Sequence, residues 1–128
     1  MNKSIKPGLL VLLLLCHLCA YCQLIANTGK TNKQILKEVK KSRASLIDVR
    51  TPEEFADGHL KYAENIDYKS ASFSSLVKKL PKDKPVYLYC RSGNRSGKGL
   101  DSLTQFGFKY AFNIGGLEDL KKAGLPVE

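Results

Sequence analysis

The chain has 128 residues, of which 43% are hydrophobic, and its formal net charge is +9. This length suits one domain with a core of ordinary size and leaves little room for a second domain. The charge does not indicate nucleic-acid binding, because the lysines are spread along the chain without zinc-ligand spacing or an RNA-binding aromatic motif. We therefore expect no nucleic-acid partner, and a basic surface that attracts small anions.

The first 22 residues have the pattern of a targeting segment. Lys3 and Lys6 form a positive start, Leu9 to Leu15 is an unbroken apolar run, and a small residue, Ala20, follows. This order predicts a signal peptide over residues 1–22 and an exported protein, periplasmic or extracellular. Retention of the segment as a membrane anchor is the alternative, and only then is a membrane contact expected.

Removal of this segment would change the number of cysteines. Three of the four, Cys16, Cys19 and Cys22, lie within it, so that Cys90 alone would remain in the mature protein. A single cysteine excludes a disulfide within the mature chain. A lone thiol in an exported protein is a candidate reactive group, and the alternative is an inert cysteine buried in the core.

The next part of the chain predicts a helix and a strand. A flexible lead over residues 23–31 is followed by apolar residues at helical spacing, with Thr31 or Asn32 placed to cap the helix. These apolar residues are Ile35, Leu36 and Val39. The apolar run from Ser45 to Val49 predicts a central strand.

A short helix, a second strand and a third helix are predicted next. Thr51 is placed to cap the short helix, and Pro52 stands at its first position. The segment from Ala63 to Ile66 predicts a short strand. A further helix begins at Ser70 or Ser72. Its apolar residues are expected to face inward, and they are Phe73, Leu76, Val77 and Leu80.

A strand, a polar loop and a helix meet at Cys90. The strand is predicted over residues 86–89, and the helix begins with Asn94 or Ser96 as its cap. Backbone N–H groups and the positive end of the helix dipole favour a thiolate at this position. We therefore predict that Cys90 is a nucleophile and that its loop, which contains Arg91 and Arg95, binds an anion.

The end of the chain predicts one more strand and helix. The strand lies around Tyr110 to Phe112, Gly115 and Gly116 form a turn, and a short helix covers residues 117–123. Strands that alternate with helices predict an α/β fold with a parallel sheet and helices on both faces. Ligands of such sheets bind at the carboxyl ends of strands, where Cys90 is placed.

Three separated stretches resemble the rhodanese-like domain family in its single-domain, sulfurtransferase form. They are LIDVRTPEEF at residues 46–55 with GHL at 58–60 and AENI at 63–66, YCRSGNRS at 89–96, and NIGGL at 113–117 with GLPV at 124–127. The resemblance assigns residues 32–128 to a rhodanese-like domain. Two positions depart from the family pattern: Tyr62, where glycine is frequent, and Leu120, where tryptophan is common. We expect Tyr62 to fill space and Leu120 to pack in the core.

The resemblance implies a thiosulfate sulfurtransferase. Such an enzyme moves a sulfane sulfur from thiosulfate or a persulfide donor to a thiol or cyanide acceptor, through a persulfide on the catalytic residue Cys90. The loop that binds the substrate and surrounds the outer sulfur would comprise Arg91, Ser92, Gly93, Asn94, Arg95 and Ser96. Supporting hydrogen bonds and ion pairs are expected from Asp48, Arg50, Glu54 and His59. The implied chemistry needs no metal and no organic cofactor.

Two other functions are compatible with a cysteine in such a loop. One is a phosphatase or arsenate reductase of the same fold, whose loop has one residue more than the six from Cys90 to Arg95 and would place an arginine where this chain has Ser96. The shorter loop favours sulfur over phosphorus. The other is a non-catalytic module that binds a partner or senses redox state. The presence of Cys90 with both arginines favours catalysis.

Overall fold

The computed structural model describes residues 28–128, of which residues 32–128 form one compact unit. The predicted signal peptide over residues 1–22 and residues 23–27 of the predicted lead lie outside the described part, so both stay predictions. No helix within residues 28–128 is long and apolar enough to cross a membrane.

Strands and helices alternate along the described chain. The strands are β1 (Ser45–Asp48), β2 (Glu64–Asn65), β3 (Val86–Cys90) and β4 (Ala111–Gly116). The helices are α1 (Asn32–Lys40), α2 (Pro52–Ala56), α3 (Phe73–Val77), α4 (Asn94–Gln105) and α5 (Leu117–Lys122). The sheet has the order β2-β1-β3-β4, and all its pairs are parallel. The predicted parallel α/β fold is confirmed.

Helices cover the sheet on both faces. Side chains of α1 and α5 pack on one face, against Tyr87 and Tyr89 of β3. Side chains of α3 and α4 pack on the other face, against Leu88 and Cys90. Because β3 is covered from both sides, all five of its residues are buried, which explains its continuous apolar sequence. Cys90 therefore stands at the carboxyl end of the most enclosed strand.

Helix α2 begins as its sequence predicts. The Thr51 hydroxyl accepts a hydrogen bond from the Glu54 backbone N–H, and the Glu54 carboxylate accepts one from the Thr51 backbone N–H. Pro52 stands at the start of the helix, where its missing N–H has no cost. This reciprocal cap fixes the direction of α2 and the position of Glu54.

The predicted turn at Gly115 and Gly116 is wrong, since both residues continue β4. Gly115 pairs with Tyr89 and Gly116 pairs with Cys90, after an irregularity in the register between Leu88 and Tyr89. A Cβ atom on Gly116 would lie 2.5 Å from the carbonyl oxygen of Arg91. Glycine is therefore required here by the close approach of the strand to the loop, and not by a turn.

The predicted cap of α4 is also wrong. Gly93 occupies the cap position with φ 89°, and Asn94 is the first residue of the helix. Ser96 is the third residue of the helix, within its first turn, and is fully buried. A glycine in the left-handed region gives the chain a sharp change of direction that a side-chain cap would not provide.

Three predictions about packing have different outcomes. Leu120 is 2% exposed and lies in the core, as expected. Leu76, expected to face inward, is 38% exposed, because only Phe73 and Val77 of the short α3 reach the sheet. Tyr62 does not fill interior space, since it is 39% exposed, and its φ of 71° lies in the region that favours glycine.

Candidate active site

Cys90 lies at the junction of β3 and α4. It is the last residue of β3, and it is 1% exposed. The backbone N–H of Gly93 donates a hydrogen bond to its Sγ atom at 3.1 Å, and the Ser96 hydroxyl lies 3.4 Å from the same sulfur. The sulfur is thus held between the loop and the first turn of the helix.

These contacts change the acidity of the thiol. Burial raises the pKa of Cys90, because a thiolate loses its hydration there. Hydrogen bonds from the Ser96 hydroxyl and from the backbone N–H groups of Ser96, Ser92 and Gly93 act in the opposite direction. They prevail, and the pKa of Cys90 is lowered from its ordinary value. The geometry therefore agrees with the expectation of an acidic, nucleophilic thiol.

Gly93 gives the loop the curvature that brings donors to the sulfur. Its φ of 89° is unfavourable for a residue with a side chain. A Cβ atom at this position would also lie 3.4 Å from the Gly115 Cα atom of β4. The left-handed conformation turns the chain from the loop into α4, whose first turn carries the Ser96 hydroxyl, while the Gly93 N–H itself supplies a backbone donor for the sulfur.

Asn113 of β4 is a residue of the site that the sequence analysis did not select. Its Nδ2 atom donates to the carbonyl oxygen of Gly93 at 2.9 Å, and its Oδ1 atom accepts from the Ser96 hydroxyl at 2.8 Å. Asn113 therefore contacts Gly93 and Ser96, two of the residues that donate to the Cys90 sulfur. The only signal in the sequence was its place at the start of the NIGGL stretch, directly before the two glycines that were predicted to form a turn.

Arg95 is engaged by Glu54 in a two-bond ion pair. The Nη1 and Nη2 atoms of Arg95 lie 2.7 and 2.9 Å from the two Glu54 carboxylate oxygens. The hydrogen bond to Arg95 holds the pKa of Glu54 at about 2, although partial burial acts in the opposite direction. The pair joins α2 to the active-site loop. Binding of an anionic donor by Arg95 stays a prediction, and the arginine already has a counter-charge.

Arg91 has a different environment. Its side chain is exposed, and no acidic group within residues 28–128 forms an ion pair with it. Its carbonyl oxygen lies close to Gly116, where a Cβ atom would be only 2.5 Å away. Ser92 and Asn94 are exposed on the same loop. Arg91 is therefore the cation of this loop whose charge is available to a ligand.

Asp48 and Arg50 form a buried ion pair at the end of β1. The Arg50 Nη2 atom lies 2.6 Å from Asp48 Oδ2 and 2.7 Å from the carbonyl oxygen of Gly58. Asp48 is fully buried and Arg50 is 6% exposed. The Asn65 amide donates to the carbonyl oxygens of both residues. These contacts stabilise the segment that carries α2, and they use the charges of the pair internally.

His59 lies after α2, away from the sulfur contacts. Its Nδ1 atom is 3.0 Å from the Phe55 carbonyl oxygen, and its ring stacks on that of Phe55 with centroids 3.6 Å apart. Its Nε2 atom is 3.7 Å from a Glu128 carboxylate oxygen. These contacts describe a residue that organises the local turn. Within residues 28–128, no group of three or more histidine, cysteine, aspartate or glutamate side chains is arranged to hold a metal ion.

Comparison with known proteins identifies the family. The sequence model of the rhodanese-like domain matches residues 31–123. The chain belongs to the rhodanese-like domain family. Its sequence is 39% identical over 74 residues to the protein YqhL of Bacillus subtilis, a match that spans 57% of that protein. It is 34% identical over 74 residues to the thiosulfate sulfurtransferase PspE of Escherichia coli, which covers 58% of this chain and 71% of that enzyme.

The structure of this rhodanese-like domain agrees with the sequence comparison. It matches a solved structure of a rhodanese with anions from E. coli with a TM-score of 0.57 and 30% sequence identity. The match covers 66% of this chain and 96% of that structure. Both comparisons support a relationship between this chain and sulfurtransferases.

Proposed function

We propose that the protein is a sulfurtransferase that carries a sulfane sulfur on Cys90. The donor is thiosulfate or a persulfide, and the acceptor is a thiol or cyanide. The observation that carries this proposal is the set of donors directed at the Cys90 sulfur by Gly93 and Ser96. The family membership and the resemblance to a thiosulfate sulfurtransferase support the same reaction class.

The proposed reaction has two balanced steps. In the first, the Cys90 thiolate attacks the outer sulfur of thiosulfate, a new S–S bond forms, and sulfite leaves with the electron pair of the broken S–S bond. In the second, a thiolate or cyanide attacks the outer sulfur of the persulfide, and the electron pair returns to Cys90. Neither step needs a general base once the thiol is ionised. Backbone N–H groups stabilise the anionic sulfur in both states.

The alternative of phosphate chemistry on the same fold is less well supported by the loop. The loop from Cys90 to Arg95 has six residues. The next residue is Ser96, whose buried hydroxyl lies near the sulfur. Both terminal nitrogens of the Arg95 guanidinium bind Glu54, so this arginine is already engaged and does not face an anion in the loop. These contacts favour a sulfur ligand.

The first experiment is to incubate the protein with thiosulfate and measure its mass. We expect a gain of one sulfur atom, mapped to the Cys90 peptide, and its loss after addition of cyanide. Mapping is required because Cys16, Cys19 and Cys22 are also present in the full chain. Cys90→Ser is the control. An unchanged mass of the Cys90 peptide, with phosphate-ester hydrolysis in a parallel assay, would support the phosphatase alternative instead.

We also propose that the protein is exported. The proposal is supported by the positive start and apolar run before residue 22. The mass of the N-terminal peptide from the native host would distinguish a cleaved signal peptide from a retained anchor. Detection of the intact N-terminus in the soluble cytoplasmic fraction alone would contradict export.

A further inference from the structure

The Ser96 hydroxyl has two acceptors within hydrogen-bond distance. Its Oγ atom lies 2.8 Å from Asn113 Oδ1 and 3.4 Å from Cys90 Sγ. A serine hydroxyl has one proton to donate, so it serves one of these acceptors fully at a time. The residue is fully buried, so bulk water does not reach the hydroxyl. Asn113 and Cys90 therefore compete for the same proton.

We propose that Asn113 is a positioning residue that holds the Ser96 hydroxyl while Cys90 is a neutral thiol and releases it to the sulfur when Cys90 becomes a thiolate. A hydrogen bond to an ionised acceptor is roughly twice as strong as one between neutral groups. Ionisation of Cys90 therefore reverses the preference of the hydroxyl. The competition sets how much of the thiol is ionised at a given pH.

The Asn113 amide is fixed in the orientation that this role requires. Its Nδ2 atom donates to the Gly93 carbonyl oxygen at 2.9 Å, and its Oδ1 atom also accepts from the Gly115 backbone N–H at 3.1 Å. A flipped amide would set its oxygen against the Gly93 carbonyl oxygen, so the hydrogen-bond network assigns Oδ1 to the side of Ser96. Asn113 pairs with Leu88 in β3, directly before the irregularity in the register.

The consequence extends to the persulfide, in a step that rests on the proposed function. In the persulfide, the negative charge lies on the outer sulfur and Cys90 Sγ is neutral. The hydroxyl then returns to Asn113, while the backbone donors of the loop remain for the outer sulfur. The hydrogen bond of Ser96 thus changes its acceptor twice in each catalytic cycle, and no bond other than hydrogen bonds is altered by this exchange.

The charged groups around Cys90 are unchanged by substitutions at Ser96 and Asn113. They are Arg95 of α4 with its partner Glu54 of α2, the buried Asp48–Arg50 pair at the end of β1, and exposed Arg91. Their effect on the acidity of Cys90 is therefore common to the wild type and the alanine variants, and a variant that adds a charge is compared only between backgrounds with and without Ser96. A difference in the pKa of Cys90 between these variants therefore measures the effect of the Ser96 hydroxyl and the Asn113 amide.

The test is the pH dependence of alkylation of Cys90 by iodoacetamide, measured on the full chain by quantifying the Cys90 peptide. Ser96→Ala removes a donor and should raise the pKa of Cys90 by about one unit, which lowers the rate about tenfold at a pH below both pKa values. Asn113→Ala removes the competitor and should lower this pKa. The double variant should match Ser96→Ala, because without the hydroxyl there is no competition.

Two results would overturn the proposal. One is an unchanged pKa in Ser96→Ala, which would show that the hydroxyl does not serve the sulfur. The other is a pKa shift of Cys90 on Asn113→Ala that is equal in the wild-type and Ser96→Ala backgrounds. That result would show that Asn113 acts only through Gly93. If Asn113→Ala does not fold, Asn113→Asp keeps a stronger acceptor and should raise the pKa of Cys90 more in the wild-type background than in Ser96→Ala.

This test is independent of sulfur transfer. Alkylation needs no sulfur donor, so the absence of a thiosulfate adduct would reject the proposed function and leave the competition for the hydroxyl measurable. Conversely, an active sulfurtransferase with additive effects at Ser96 and Asn113 would retain the proposed function and reject the role of Asn113.

Discussion

The two central strands end side by side in buried ionisable groups, but the two ends are stabilised differently. At the end of β1, the Asp48 carboxylate is paired with Arg50, and both charges are satisfied by each other. At the end of β3, the Cys90 sulfur has no bonded counter-charge and is held by N–H and O–H donors. Asp48 is paired with Tyr89 in the register, so the two ends are neighbours.

The difference suits the end of β1 to a structural role and the end of β3 to a chemical one. A buried ion pair has little capacity left for a ligand, and loss of one partner leaves an unpaired charge in the interior. A sulfur surrounded by donors can instead become an anion, give up its electron pair and recover it without rearrangement of the protein. The β1 end serves the β3 end by fixing α2, whose Glu54 reaches Arg95 of the active-site loop.

The largest expected effect is at the β3 end. Cys90→Ser removes the nucleophile, and we expect thiosulfate:cyanide transfer to fall by at least about 10³-fold. The free energy of unfolding should change by no more than about 1 kcal/mol, because the hydroxyl replaces a sulfur of similar shape. Transfer assays and urea denaturation measure the two quantities. Residual transfer near the wild-type rate would rule out Cys90 as the nucleophile.

The opposite pattern is expected at the β1 end. Arg50→Ala leaves the Asp48 carboxylate buried without its partner, so the free energy of unfolding should fall by about 3–5 kcal/mol. The midpoint of urea unfolding checks this. The matched control is Asp48→Asn/Arg50→Met, which removes both charges and should recover much of the loss. A single variant as stable as the wild type would show that the pair is not structural.

Local patterns in the sequence predicted that Cys90 ends a buried strand and is followed by a polar loop and a helix, whereas its role as a nucleophile stays a prediction. The apolar run of β3, the polar residues after Cys90 and the periodicity of α4 are signals within a few residues of one another. The cap at Thr51 was equally local, since a capping residue and its partner lie within one turn. For these elements, side-chain chemistry and backbone conformation are coupled over short distances, and prediction succeeded.

The contacts that tune the site could not be predicted in this way. The Arg95–Glu54 pair joins positions 41 residues apart, and the Ser96–Asn113 hydrogen bond joins positions 17 residues apart. Both depend on how the strands are ordered in the sheet. The glycines of β4 were misread because a missing side chain has the same appearance in a sequence whether a turn or a close approach requires it.

The outer part of the active-site loop should respond more weakly than its centre. Arg91→Ala removes an exposed cation without an ionic partner in the described chain, so we expect the KM for thiosulfate to rise by up to about fivefold with little change in kcat. The effect should shrink as salt is added. Arg91→Lys keeps the charge and serves as the control. An unchanged KM at low salt would show that Arg91 does not attract the donor.

The smallest expected effect concerns the Arg95–Glu54 ion pair, which joins α2 to the loop that follows Cys90. The pKa of Glu54 is lowered from 4.5 to about 2 in the folded protein, chiefly by the hydrogen bond to Arg95 and further by hydrogen bonds to Thr51. Because the folded pKa is the lower one, the pair stabilises the protein fully above about pH 5, and this contribution is lost as the pH falls through 4.5 towards 2. Both side chains are partly exposed, which limits it to about 1 kcal/mol.

The measurement is urea denaturation of the wild type and Arg95→Gln between pH 3 and pH 6. The difference in unfolding free energy should be largest at pH 6 and should shrink steadily towards pH 3, because protonation in the unfolded state then competes with the ion pair. The matched control is Lys121→Gln, which breaks the more exposed Lys121–Glu118 pair of α5 and should give no comparable pH dependence. A difference for Arg95→Gln that is the same at pH 3 and pH 6 would mean that Arg95 stabilises the loop by packing, and that the connection between α2 and the Cys90 loop is not electrostatic.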